Sequence, residues 1–354
     1  MAISSRVRSM AYEFRGYSHQ LQFLLSDGPL TSAILAATGE SWVVRRIILV
    51  DFARAIVAAG PPGSGNVAAV IKIARNADAA RSMDHHRSAL RRLRADPRLR
   101  PLLPVLPEEV AAGRIGRNTY VVEKALPGID ARNLLEDAES STRMQLASLE
   151  LIRELHGRTA EIVTVDEAMT ARWIDEPLRK LRGLEATYPR IAFRKRAIDG
   201  LGWELAAALL GRRMPISWLH GDFFPGNILV SRDGRVVKGL VDWDLAASGE
   251  LPFLDAMQFF MGIHLARTRS EWGPAVLALL AEGRFKSAAV DPLAFTHARL
   301  GGEPLGFREA LLLTWLRHVS CNLTKSAHYS RHRYWIRSNV EAVFEGLERG
   351  WVAA

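Results

Sequence analysis

The feature that most constrains this 354-residue chain is the stretch Ser217–Asp255, SWLHGDFFPGNILVSRDGRVVKGLVDWDLAASGELPFLD. Two apolar runs, Ile228–Val230 and Val236–Val241, flank Asp233-Gly234. That dipeptide favours a tight β-hairpin because both central residues tolerate positive φ. A two-residue loop there pairs Arg232 with Arg235. Carrying the register back sets Asn227 opposite Leu240 and Asp242 opposite Pro225. Asn227 and Asp242 then meet at the open end of the hairpin, about 5–8 Å apart. Asp222 precedes Asn227 by five residues, at the end of another apolar strand, Ile216–Leu219. Two carboxylates and an amide oxygen thus converge in one strand-end loop. Hard oxygen donors of this kind suit Mg²⁺, which keeps some waters and takes further ligands from phosphate.

The surrounding chain divides by element type. Residues 1–42 read as a helical N-terminal extension. From Trp42 the pattern turns to Val- and Ile-rich strands, at Trp42–Val50, Ala53–Ala59 and Val67–Ala74, with a turn cluster at Pro61–Asn66. An arginine-rich helix follows at Ser82–Asp96, with Leu90 and Leu93 inward. Pro101–Pro107 reads as an irregular connection, and Asn118–Lys124 as another strand. Leu126-Pro127-Gly128 then breaks the chain, and helical periodicity dominates the remainder. Ser141 is the expected N-cap of an amphipathic run carrying Leu146, Leu149, Ile152 and Leu155. Further helices are expected near 165–185, 197–211, 254–266, 273–282, 307–326 and 335–349. Strands before helices make an α+β chain. The expected organisation is an extension over 1–42, a small sheet lobe over 43–125 and a larger helical lobe over 126–354.

Composition narrows the partners. Apolar residues make up 48% of the chain, enough for real cores. No apolar run reaches the roughly 20 residues of a membrane span, and no apolar segment follows the basic N-terminus as in a secretory signal. A single cysteine, Cys321, excludes an internal disulfide framework and reads as a buried small residue. A cytoplasmic protein is expected. The net charge of +9 favours anionic partners such as nucleotides. Eight arginines lie between Arg75 and Arg100, and Lys325–Arg337 mixes four basic residues with His328, Tyr329, His332, Tyr334 and Trp335. Both runs read as solvated helix faces, and no nucleic-acid partner is expected. His328 and His332 are four apart, but a third metal ligand is missing.

His220-Gly221-Asp222, Asn227 and the V-D-W-D carrying Asp242 closely resemble the catalytic segment of the aminoglycoside phosphotransferase / choline kinase-like family, which shares the bilobal protein-kinase-like fold. The resemblance spans about residues 43–260. It implies a small, mainly antiparallel sheet lobe plus a larger helical lobe, and ATP and Mg²⁺ as cofactors. It implies Asp222 as catalytic base and Asn227 and Asp242 as metal ligands. His220 would support the loop by hydrogen bonds, and Asp255 would steady it from the following helix. Asp244 would either orient the metal site or cap a turn. In the small lobe, Lys72 in V-I-K-I corresponds to the lysine that grips the α- and β-phosphates. Glu123-Lys124-Ala125 resembles the hinge whose main chain meets adenine, so Glu123 and Ala125 are expected to act through their backbones, with side-chain identity carrying little.

The sequence departs from the family pattern in two instructive places. The helix position whose glutamate normally pairs with the lysine is His86. Asp84 is the nearest acid, and either Asp84 or a glutamate from elsewhere must substitute. No G-x-G-x-x-G precedes Lys72. The loop near Asp51 is the expected phosphate cover, and Gly63–Gly65 a hairpin turn. The implied activity is transfer of the ATP γ-phosphate to a hydroxyl of a small molecule: a sugar, an antibiotic or an amino alcohol. The basic balance disfavours a polycationic acceptor. The alternative is a catalytically weak nucleotide-binding pseudokinase, supported by the missing helix glutamate.

Overall fold

The structure is a computed structural model. It describes residues 41–50, 53–286 and 288–352, with isolated positions before residue 41. The N-terminal extension, apart from its last residues, and the loop at Asp51 lie outside the described residues. The chain forms two compact units. One comprises the described residues up to Leu90 together with Leu106–Leu126; the other comprises Arg91–Val105 and the chain from Pro127.

The first unit is built on a five-stranded antiparallel sheet of β1 (Val43–Val50), β2 (Arg54–Gly60), β3 (Ala69–Ala74), β4 (Glu109–Ile115) and β5 (Asn118–Lys124). Its spatial order is β1-β2-β3-β5-β4. Period-two alternation explains its faces. Ala55, Val57, Ala59, Ile71, Ile73, Tyr120 and Val122 bury one face together with Trp42 and Ile115. Ala74 and Val121 lie on the other, against Met83. Met83 belongs to α1 (Ala77–Ala95), whose entry is fixed by Asn76 Oδ1 accepting from the Ala79 amide at 2.9 Å. Leu90 and Leu93 are buried, and Gly63–Gly65 lies in the β2–β3 connection.

The chain between α1 and β5 departs from expectation in two places. β4 was not expected, because Ala111-Ala112-Gly113-Arg114 has neither alternation nor β-branched residues. It forms because β5 pairs with it across a Gly116 turn. The segment Pro97–Val105 is a 3₁₀ run with Leu99 and Leu102 buried, rather than an irregular connection.

In the second unit, α2 (Ala138–Thr159) is capped by Asp137, which accepts from the Ser140 amide at 2.7 Å; Ser141, the expected cap, is buried inside the helix. Short strands form two three-stranded sheets: β6 (Ile129–Asp130) pairs with β9 (Ile228–Val230), which pairs with β10 (Val237–Leu240), and β7 (Glu161–Thr164) pairs with β8 (Arg213–Leu219), which pairs with β11 (Ala247–Glu250). α3 (Phe253–Thr268) and α4 (Phe307–Lys325) carry residues used below. A helix at Pro292–Leu300 was not expected. The β9–β10 hairpin also differs from its expected form. Val230 pairs with Val237 as the two-residue loop requires, but a bulge follows, and Leu240 faces Ile228 rather than Asn227. The Asp233 carboxylate takes the Ser231 hydroxyl at 2.6 Å and the Arg235 amide at 3.2 Å, so the turn is wider than two residues.

Candidate active site

Despite the register shift, the hairpin still joins the expected residues. Val241, immediately before Asp242, donates its amide to the Asn227 carbonyl at 2.9 Å. Asn227 Nδ2 donates to the Asp222 carbonyl at 2.9 Å and to its Oδ2 at 3.0 Å. Asp242 stands close enough for its charge to act on Asp222. Asp222, Asn227 and Asp242 therefore occupy one loop cluster within the second unit. Asp242 holds φ 67°, a left-handed conformation that costs a non-glycine residue about 1–2 kcal/mol. Such strain persists only where the surroundings impose it.

The loop around Asp222 is fixed by buried partners. Asp255, fully buried at the start of α3, accepts the His220 amide on Oδ2 at 2.8 Å and the Gly221 amide on Oδ1 at 2.9 Å. His156 of α2 approaches the same carboxylate at 3.1 Å. Burial alone would raise the Asp255 carboxyl; the hydrogen bond from His156 and the Gly221 amide outweigh it, and the group sits below its ordinary range. His220, also fully buried, donates from Nε2 to the Val241 carbonyl at 2.9 Å and accepts the Asp222 amide on Nδ1 at 3.2 Å. Gly221 has φ 80°, and a Cβ there would lie 2.0 Å from the Leu245 carbonyl oxygen. No other residue type fits.

Three residues that sequence reasoning missed complete the cluster. Gln258 of α3 donates from Nε2 to Asp222 Oδ1 at 2.8 Å, so each carboxylate oxygen of Asp222 meets one amide. Arg317 of α4 donates to the Gly221 carbonyl at 2.7 Å and the Leu245 carbonyl at 3.1 Å. Lys325, at the end of α4, pairs with Asp244 at 2.6 Å. The basic run beginning at Lys325 is thus not wholly a solvated face. Asp244 serves as that lysine's partner. No motif flags Gln258, Arg317 or Lys325, because each reaches the loop through tertiary packing alone. Burial and then the Asp242 charge push the Asp222 carboxyl above its ordinary value, against the Lys325 charge.

The donor chemistry fits a hard cation. Asn227 spends its NH₂ on Asp222, which turns its amide oxygen away from that carboxylate. An amide oxygen and the Asp242 carboxylate form a sparse set, as for Mg²⁺ that shares its sphere with phosphate and water. Among the described residues no cluster of three or more His, Cys, Asp or Glu offers an all-protein metal site, His328 and His332 included. Cys321 is half-buried rather than buried.

In the first unit, Lys72 is paired. Its Nζ lies 3.0 Å from Glu123 Oε2 and 3.3 Å from His86 Nε2, and His86 Nε2 bonds Glu123 Oε1. Asp84, the nearest acid in sequence, is exposed and stands 4.0 Å from Arg87. The Glu123 side chain, expected to carry little, is 4% exposed and holds the lysine. Burial opposes its charge, but Lys72 and the bonds from His86 and Lys72 bring the carboxyl down to about 2. The Ala125 amide donates to the Ala68 carbonyl at 2.9 Å, so an adenine could use that N–H only by exchanging this bond.

Comparison with known proteins identifies the class. The chain matches the phosphotransferase enzyme family over residues 32–300 and belongs to it. No curated protein matches the chain. Similar solved structures include a putative aminoglycoside phosphotransferase from Ralstonia eutropha JMP134, with 15% identity, TM-score 0.53, and coverage of 90% of this chain and 96% of that one. A thermostable mutant of aminoglycoside phosphotransferase APH(4)-Ia, in ternary complex with ADP and hygromycin B, has 13% identity, TM-score 0.52, and coverage of 89% and 98%. ADP-bound APH(2'')-Ib has 12% identity, TM-score 0.51, and coverage of 94% and 98%. At such identities the likeness concerns the fold: a bilobal protein-kinase-like α+β fold with an antiparallel sheet and a larger helical portion. Among the described residues no helix is long and apolar enough to cross a membrane.

Proposed function

We propose that the protein transfers the γ-phosphate of ATP to a hydroxyl of a small molecule, with Asp222 as base. The observation that carries this reading is the joint placement of Asp222, Asn227 and Asp242 on a loop held from beneath by Asp255. A buried carboxylate with a raised proton affinity, flanked by two amides, is suited to accept or orient a hydroxyl proton. Asn227 and Asp242 would hold Mg²⁺, which when bound neutralises the charge of the triphosphate. Lys72 would grip the phosphates. The main chain at Glu123 and Ala125 would meet adenine, the Ala125 amide by exchanging its bond to the Ala68 carbonyl. The chain's own contribution is positioning and a fixed electrostatic field.

The acceptor is proposed to be neutral or anionic, such as a sugar or other polyol. A polycationic acceptor needs several uncommitted carboxylates, and Glu250, Asp255, Glu271, Glu282 and Asp291 in the last third of the chain are each engaged. Asp255 holds the loop, and Glu250 lies 3.5 Å from Arg172. Glu271 accepts from Asn339 at 3.2 Å, Glu282 pairs with Lys286 at 2.9 Å, and Asp291 caps a helix by taking the Leu293 and Ala294 amides. Against the pseudokinase alternative stands Glu123, whose carboxylate pairs with Lys72 where α1 carries none. The test is a screen for acceptor-dependent ADP release over sugars, amino alcohols, aminoglycosides and macrolides. An acceptor whose phosphorylation disappears in Asp222→Asn supports the reading; equal turnover by Asp222→Asn refutes it.

A further inference from the structure

Lys72 and Glu123 are joined by the sheet rather than by a helix. β3 and β5 pair directly, with Lys72 opposite Val121 and Val70 opposite Glu123. Lys72 and Glu123 are therefore diagonal neighbours on one face, within reach of two long side chains. That face is opposite to Ile71, Ile73 and Val122, and it meets α1 through Ala74, Val121 and Met83. His86 stands on α1 three residues after Met83, almost one turn on. The carboxylate of Glu123 bridges the two bases, giving Oε2 to Lys72 and Oε1 to His86. Its side chain is 4% exposed and that of His86 2%, whereas that of Lys72 keeps 15%. The acid and the histidine are sealed, and the lysine still reaches solvent.

We infer that Glu123 is the positioning residue for Lys72, with His86 locking its second oxygen, so that the phosphate-gripping lysine is set by the register of β3 on β5. This inference rests on the reading of Lys72 as a phosphate ligand. Its physical basis is independent of that reading: a buried carboxylate is retained only where charges and hydrogen bonds compensate its desolvation. Two consequences follow. Displacing α1 would remove the His86 contact but leave the Lys72–Glu123 pair, because the strands hold it. Glu123 would also join two tasks in one residue, since its main chain lies in the segment proposed to meet adenine while its side chain fixes the lysine.

The test uses Glu123→Gln and the double variant His86→Glu/Glu123→Gln in the full chain. The double variant moves the carboxylate from β5 to α1, at the residue whose histidine Nε2 lies 3.3 Å from Lys72 Nζ. Two readouts are taken: competitive amine labelling of Lys72 without nucleotide, and Mg·ATP affinity by calorimetry. Glu123→Gln is expected to speed Lys72 labelling and weaken Mg·ATP binding by roughly tenfold, the loss of one charge-assisted contact. The double variant is expected to restore both to within about threefold. Wild-type labelling of Lys72 in Glu123→Gln overturns the inference. So does a folded double variant whose Lys72 is labelled fast, which also covers the case in which the single variant fails to fold. Wild-type protein that does not bind Mg·ATP, while labelling still responds to Glu123→Gln, overturns the phosphotransferase reading and leaves the pairing standing.

Discussion

Asp255→Asn perturbs the buried anchor of the Asp222 loop. Asp255 is fully buried and receives two main-chain amides, at 2.8 and 2.9 Å, and His156 at 3.1 Å. Asparagine keeps the shape but removes the charge and replaces one acceptor with an NH₂. Whichever way it turns, a donor faces another donor. A buried N–H left unsatisfied costs about 1–3 kcal/mol. Removing the buried carboxylate's charge also weakens its hydrogen bond with His156, and hydrogen bonds to charged groups contribute about 1.5–3 kcal/mol. These overlap, so an overall loss of about 2–4 kcal/mol is expected. The local effect is more diagnostic than the total. Amide exchange should accelerate at His220 and Gly221, because their acceptor is the group removed. A catalytic loop displaced by about 1 Å should also lose on the order of 10²-fold in rate. Hydrogen exchange by mass spectrometry and urea denaturation measure the two parts. Unchanged protection at His220 and Gly221, with stability within about 0.5 kcal/mol of wild type, would refute the reasoning.

Other expectations are independent of this one. Gly221→Ala puts a Cβ 2.0 Å from the Leu245 oxygen at φ 80°, so beyond the roughly 1–2 kcal/mol of left-handed strain the main chain must move; wild-type turnover and thermal stability would contradict this. The Glu123 carboxyl is lowered from 4.5 to about 2 in the folded protein, so its contribution is complete above the unfolded value and is lost as pH falls through the folded one. That contribution is on the order of 3 kcal/mol, so the urea-stability gap between wild type and Glu123→Gln should shrink between neutral pH and about pH 3. A gap independent of pH would count against the buried pair. Gln258→Ala removes an amide from Asp222 Oδ1 and should lower kcat by about tenfold or more with little change in KM for ATP; a rise in that KM alone would place Gln258 elsewhere in the reaction.

Local chemistry made the loop around Asp222 readable and made much else unreadable. His220, Gly221, Asp222, Asn227 and Asp242 fall within 23 residues, and each needs a particular side chain or backbone conformation there. At its far end the hairpin register lies one residue from the one a two-residue Asp233-Gly234 loop predicts. Asp233-Gly234 signals a tight turn, but Asp233 takes the Ser231 hydroxyl and Arg235 amide instead, and a bulge near Lys238 absorbs the difference. The partner of Lys72 was unreadable for a topological reason. Glu123 lies 51 residues away in sequence and shares a face with Lys72 only once β3 is known to pair with β5. β4 was hidden by an Ala-Ala-Gly-Arg run whose strand state comes from its neighbour. Lys325 lay in a basic run that a periodicity argument assigns to solvent, and only α4 carries it to Asp244.

The central claim is that Asn227 and Asp242 form a Mg²⁺-dependent nucleotide site beside Asp222. Calorimetric titration of ATP into wild type and Asp242→Ala, with and without Mg²⁺, tests it most directly. Wild type should bind ATP at least about tenfold more tightly with Mg²⁺ than without, and Asp242→Ala should lose that difference. Equal Mg²⁺ enhancement in the two proteins would contradict the account.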